Sequence, residues 1–213
     1  MGNFDALNPH LGLCLLYLGG ILVGCAPPAP TQTNATTQTK MPPAAADGGV
    51  RVADGKPFRL ADIDRSRGAC LFFVGTDCPI SNAYAPEMGR IITEFAPHGV
   101  SFYLIYSLRE LALDQAAEHA KSFGLPGVVI LDSQLHLAQA LSATRMPEVI
   151  LLPAHGDAVY QGRIDDRYPA PGAKRREHPT THDLRDALAA FVAGKPIQRP
   201  RTPAVGCHLD LPQ

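Results

Sequence analysis

Among the five cysteines of this 213-residue chain, Cys78 is the one whose surroundings favour chemistry. It follows Ala69 to Val74, a continuous apolar run of strand length, and precedes a segment from about Ile80 to Phe95. In that segment Tyr84, Met88, Ile91, Ile92 and Phe95 recur at helical spacing. A cysteine at such a strand-to-helix junction faces free backbone N–H groups and the positive end of the helix dipole, both of which favour the thiolate. The thiolate is the species that attacks disulfides and peroxides. Thr76 and Asp77, just before it, are placed to orient the thiol or relay its proton, although a turn aspartate at a strand end also has a purely structural use.

The other cysteines divide by position. Cys70 lies within the apolar run and reads as a small buried hydrophobe. Cys14 and Cys25 belong to an N-terminal stretch in which Leu11 to Val23 is apolar and uncharged, too short for the roughly 20 residues that span a bilayer but suited to an export signal. Its end, Leu22-Val23-Gly24-Cys25, resembles a bacterial lipoprotein signal, although the basic residues that normally open one are missing. That resemblance implies a signal peptide over residues 1–24, acylation of Cys25 and a chain anchored by lipid at the cell envelope, facing the periplasm. The Pro/Thr/Ala-rich tract at 25–46 then serves as a flexible linker. Cys70, Cys78 and Cys207 remain in the folded part, an odd number that argues against a purely structural disulfide framework.

The elements that must position Cys78 alternate. Val50 to Leu60 is expected to form a hairpin turned at Asp54-Gly55, Ala69 to Val74 a strand buried on both faces, and Val100 to Tyr106 a second one. Helices are expected over Asp114 to Phe123 and Leu135 to Leu141, with a strand at Val128 to Leu131 between them. Val149 to Leu152 and Ala158 to Gln161 form a hairpin about His155-Gly156-Asp157, and Thr181 caps a last helix running to about Ala193. The class is α/β, a mixed central β-sheet with helices on both faces. His119 and His136 are expected to be exposed on their helices, and Asp165 to Pro179 to form a long loop that is either a binding surface or a solvated insertion.

The segment Gly75-Thr76-Asp77-Cys78-Pro79-Ile80-Ser81, with Pro86 eight residues after Cys78, resembles the active-site helix of thioredoxins. Met146-Pro147, directly before a strand and hairpin, resembles their cis-proline, whose preceding backbone pairs with an extended substrate. From residue 47 to 194 the chain is similar to the redoxin families, which include alkyl hydroperoxide reductase, thiol-specific antioxidant and thioredoxin-like envelope proteins. The resemblance implies a thioredoxin-like fold and a redox role for Cys78, with Met146, Pro147, Thr76, Asp77 and Ser81 contacting the substrate. It implies a thiol or disulfide protein partner, or a small peroxide, and no cofactor.

The departures from the family pattern sort the possible activities. Peroxidases of the group resemble P-x-x-x-T-x-x-C, whereas Leu71 and Gly75 stand at those positions here, and Pro147 replaces their arginine although Arg145 is near. Thiol peroxidase is therefore the alternative to thiol-disulfide exchange. Thioredoxins carry C-x-x-C, but the second position is Ser81, so a resolving thiol must come from elsewhere. Cys207 is the candidate, in a Pro-rich tail at 195–213 that reaches ~40 Å if extended. Reach alone does not supply disulfide geometry, and an unpaired or structural Cys207 stays open. A non-catalytic binding module, or a copper-handling protein using His208 beside Cys207, is a further alternative. The C-x-x-x-C pattern of such chaperones is incomplete, and no metal site is expected. A net charge of −1 supplies no field for nucleic acid, and Lys174 to Arg176 reads as a solvated loop. A composition of 46% hydrophobic and 18% charged residues excludes a chain disordered throughout.

Overall fold

The computed structural model describes residues 50–52 and 55–211. The signal, the acylated Cys25 and the linker expected over 1–46 lie outside the described residues, as do Asp54 and the last two residues of the tail. Among the described residues no helix is long and apolar enough to cross a membrane.

The elements run β1 (Val50–Val52), β2 (Ala69–Phe73), α1 (Pro79–Phe95), β3 (Ser101–Tyr106), α2 (Leu113–Ser122), β4 (Val128–Asp132), α3 (His136–Ala140), β5 (Arg145–Met146), β6 (Glu148–Leu152), β7 (Tyr160–Gly162), α4 (Asp183–Val192) and β8 (Cys207–His208). Six strands form one sheet in the order β1-β4-β3-β2-β6-β7. The three central strands β4, β3 and β2 are parallel, and the flanking β1, β6 and β7 are antiparallel to their neighbours. The parallel strands place their C-terminal ends, and the loops that follow them, at one edge of the sheet, where α/β proteins carry their sites.

Every residue of β2 is buried, as expected of a strand covered on both sides. Side-chain alternation sends Cys70 and Phe72 to the face covered by α1, α2 and α4, where they pack with Tyr84, Met88, Ala116, Ala120 and Leu188. Leu71 and Phe73 face the other side with Phe58, Tyr103, Ile130, Leu137, Met146 and Leu209. Cys70 thus sits in a different core layer from Cys78, fully buried, and burial pushes its thiol well up from the ordinary range.

Three expectations are corrected. The Val50 to Leu60 hairpin loses its second strand: a turn closes through Gly55 N–H donating to Val52 C=O at 2.8 Å, but Leu60–Asp62 is a 3-10 turn, and β1 pairs with β4 instead. A distant buried strand offers β1 more than a local two-stranded ribbon could. Thr181 does not cap α4; His182 holds that position, while the Thr181 hydroxyl donates to Asp183 at 2.9 Å. The basic run is only partly solvated, because Arg176 pairs with Asp166, which also accepts the backbone N–H groups of Thr180 and Thr181 at 2.6 and 3.0 Å. Burial opposes the Asp166 charge, but these donors outweigh it and hold the carboxyl well below its usual range.

Candidate redox site

Cys78 is the N-cap of α1, and its sulfur accepts the Ser81 N–H at 3.5 Å. Pro79 occupies the first helical position, where the N–H it lacks has no intrahelical partner to lose, and Pro86 lies within α1 without ending it. The Ser81 hydroxyl accepts from Gly75 N–H at 3.3 Å, so the residue standing in place of a second cysteine ties the incoming loop to the first helical turn.

Across from this cap, the Met146-Pro147 peptide bond is cis, as the sequence resemblance implies. The Cys78 thiol donates to the Met146 carbonyl at 3.0 Å. Glu148, buried next to the proline, accepts Thr144 N–H at 2.7 Å and Arg145 N–H at 3.1 Å on one oxygen and the Gln161 amide at 2.8 Å on the other. Sequence reasoning misses this role, since a single glutamate at a strand start carries no pattern.

The tail returns to this point. β8 pairs antiparallel with β5 in the register Met146 opposite Cys207 and Arg145 opposite His208. Cys207 is therefore brought to the Cys78 side of the sheet, where it packs against the buried cluster that contains Cys78. Burial first, and then the neighbouring Cys78 thiol, push the Cys207 thiol up to about 11. The three cysteines of the described residues are all free thiols.

Thr76 and Asp77 sit on the loop between β2 and α1. The Asn82 amide donates to the Thr76 carbonyl at 2.8 Å, and the Asn82 carbonyl oxygen accepts from His119 Nε2 at 3.0 Å. Because the Asn82 Oδ1 can only accept, the neutral His119 ring carries its proton on Nε2, and the Tyr106 hydroxyl donates to Nδ1 at 2.8 Å. His119 is thus half-buried rather than exposed; burial lowers its pKa, against the opposing charge of Asp77. His136 is half-buried too, contrary to expectation. Thr76, Asp77, Ser107, Arg109, His119 and His208 help line a polar cavity of about 740 Å³ beside the Cys78 cap. Among the described residues no group of three or more His, Cys, Asp or Glu side chains gathers as a metal centre.

The arrangement of a helix-capping thiol, a cis-proline and a mixed sheet is matched by a family comparison: the Redoxin model covers residues 36–175. The chain belongs to the Redoxin family. This redoxin has a thioredoxin-like fold. It is 25% identical over 107 residues to the thiol-disulfide oxidoreductase ResA of Halalkalibacterium halodurans, a match covering 50% of this chain and 58% of that protein. The chain thus spans little more than half the length of that relative. A conserved uncharacterised protein of Geobacillus kaustophilus superposes with a TM-score of 0.69 at 25% identity, over 82% of this chain and 92% of that one. A hypothetical protein of Sinorhizobium meliloti 1021 gives 0.66 at 23% identity, over 82% and 94%. The family match takes in Cys78 and Met146-Pro147 but ends before Cys207 and β8.

Proposed function

We propose that this redoxin is a thiol-disulfide oxidoreductase in which Cys78 is the nucleophile and Cys207 the resolving thiol. The observation that carries the reading is the meeting of these two thiols at Met146. The Cys78 thiolate attacks a substrate disulfide, forming a Cys78 mixed disulfide and releasing one substrate thiolate, which takes up a proton. Cys207 then gives up its proton and attacks the Cys78 sulfur, forming Cys78–Cys207 and releasing the second substrate thiol. The substrate disulfide is reduced by two electrons, the protein dithiol is oxidised, and an external dithiol restores it. Met146 and Pro147, with Thr76, Asp77 and Ser81, shape the place where this exchange occurs.

Gly75 weighs against peroxide as the main substrate. A Cβ at this position would stand 2.9 Å from the Met146 sulfur and 3.4 Å from the Cys78 Cβ, so the peroxidase threonine has no room without moving Met146. Arg145 is engaged as well, donating to the Gly206 carbonyl at 3.4 Å. The sequence of the first 46 residues supports delivery of this domain to the cell envelope, held there by lipid on Cys25.

The reading is tested by treating the reduced full chain with oxidised glutathione and mapping adducts by mass spectrometry. Wild type should pass to the Cys78–Cys207 disulfide, and Cys207→Ser should stop as glutathione on Cys78. A wild-type chain that holds glutathione on Cys78 without closing the disulfide would refute the resolving role.

A further inference from the structure

The strand that brings Cys207 to Cys78 also covers it. Cys78 is only 3% exposed. Residues 205–209 run along the Met146 edge, with Val205 and Leu209 buried at either end of the segment and Leu209 N–H donating to Thr144 C=O at 3.0 Å. Between them Gly206 lies flat against the chain opposite: a Cβ there would overlap the Met146 carbonyl and stand 2.9 Å from Pro147 N. Only glycine permits this approach.

Upstream the tail is fastened separately. Gln161 N–H donates to Pro200 C=O at 2.9 Å, Thr202 N–H to Gln161 C=O at 3.1 Å, and the Thr202 hydroxyl accepts Arg163 N–H at 3.1 Å. Arg199 pairs with the buried Asp183 at 2.8 Å. Beyond Thr202, Pro203 has no N–H to bond, and the hydrogen bonds that follow, at Gly206 and Leu209, belong to the Met146 edge.

We propose that residues 203–209 are an autoinhibitory strap, a strand of the protein's own chain that occupies the Met146 edge and shuts Cys78 off from other extended chains. Two strands cannot pair with one edge at once, so an incoming polypeptide must displace the strap, which turns about Pro203 while the clamp at Gln161 and Thr202 holds. Closing the Cys78–Cys207 disulfide locks the strap down, and reduction frees it. Any replacement strand in the same register needs glycine before the residue that faces Met146. The inference rests on the exchange reading for its biological meaning, but the closure itself is testable without it.

The test is iodoacetamide labelling of the reduced full chain, with rates mapped separately for Cys78 and Cys70. Gly206→Val removes the close approach, and Leu209→Asp removes the buried anchor. Each should raise the Cys78 rate at least ten-fold while Cys70, in the other core layer, stays protected. A peptide of sequence Val-Ala-Val-Gly-Ser-His-Leu should slow Cys78 labelling again in Gly206→Val, and its Gly→Ala analogue should not. An unchanged Cys78 rate with Cys70 protected would overturn the strap. Exposure of Cys70 in both variants would also overturn it, since the segment would then be integral to the fold and not releasable. Freed Cys78 in the variants, with no Cys78–Cys207 disulfide in oxidised wild type, would leave the closure standing and remove the exchange reading. A wild-type disulfide with no change in the variants would do the reverse.

Discussion

Met146 stands directly opposite Cys207 in the β5–β8 ladder while its carbonyl accepts the Cys78 thiol at 3.0 Å, so one residue holds both thiols. Backbone pairing, not a C-x-x-C spacing, sets their proximity. The position of Cys207 therefore depends on strand register, and a slip by one residue would turn its side chain to the other face of the ladder.

After burial, the neighbouring Cys78 thiol and the charge it carries when ionised contribute to the raised titration of Cys207. In Cys78→Ser the charge is gone while the burial stays. Alkylation of Cys207 at pH 9 should consequently be faster than in wild type, with its midpoint moved below about 11. An unmoved midpoint would mean that the two thiols do not interact.

Glu148 satisfies two backbone donors just before the cis-proline. Glu148→Ala removes the acceptor of both donors, on the exposed Thr144 and the half-buried Arg145, and a cost of roughly 1–2 kcal/mol is expected from chemical denaturation. Glu148→Gln keeps an acceptor and should recover a substantial part of it. Equal losses in the two variants would show that hydrogen bonding at this site is not what matters.

The Tyr106–His119–Asn82 chain ends on the carbonyl of Thr76, two residues before Cys78. His119→Phe keeps the ring but breaks the chain. A positioning loss of roughly 1 kcal/mol would slow closure of the Cys78–Cys207 disulfide about five-fold. Because burial lowers the His119 pKa, the unfolded chain binds its proton first as pH falls below about 6.5. Wild type should therefore lose stability on acidification through that range, and His119→Phe should lose less of it.

Alkaline conditions act on other groups. Burial raises the phenols of Tyr84, Tyr106 and Tyr160 and the thiol of Cys70, and Cys207 titrates at about 11. The unfolded chain gives up thiol protons near 9 and phenol protons near 10, so above pH 9 it binds fewer protons than the folded one. Stability must then fall as pH rises. Urea midpoints between pH 8 and 11 should decline steadily, and Tyr106→Phe should flatten the slope; a level profile in wild type would contradict the burial of these groups.

The sheet was largely legible because its strands are continuous apolar runs: Ala69 to Val74 and Val100 to Tyr106 appear within a residue or two of their observed limits. Cys78, Pro86 and Pro147 were legible as spacings around one helix and one strand. What stayed hidden depends on contacts far apart in the chain. The two-residue strands β5 and β8 have no period to read, and Cys207 acquires its place only through pairing with a residue 61 positions earlier, as Arg145 does with Gly206. His119 has the look of a solvent-facing helical histidine until α2 is laid against α1. The turn signal at Asp54-Gly55 likewise pointed to a local hairpin and said nothing of the pairing of β1 with β4.

The order of the elements along the chain bears on how the protein is made. The β2–α1 junction carrying Cys78 precedes every later strand of the sheet, whereas β8 follows the last helix. A chain that emerges N-terminus first therefore presents Cys78 to its surroundings before the segment that covers it exists, and the newborn thiol is open to any oxidant or thiol it meets until Cys207 arrives.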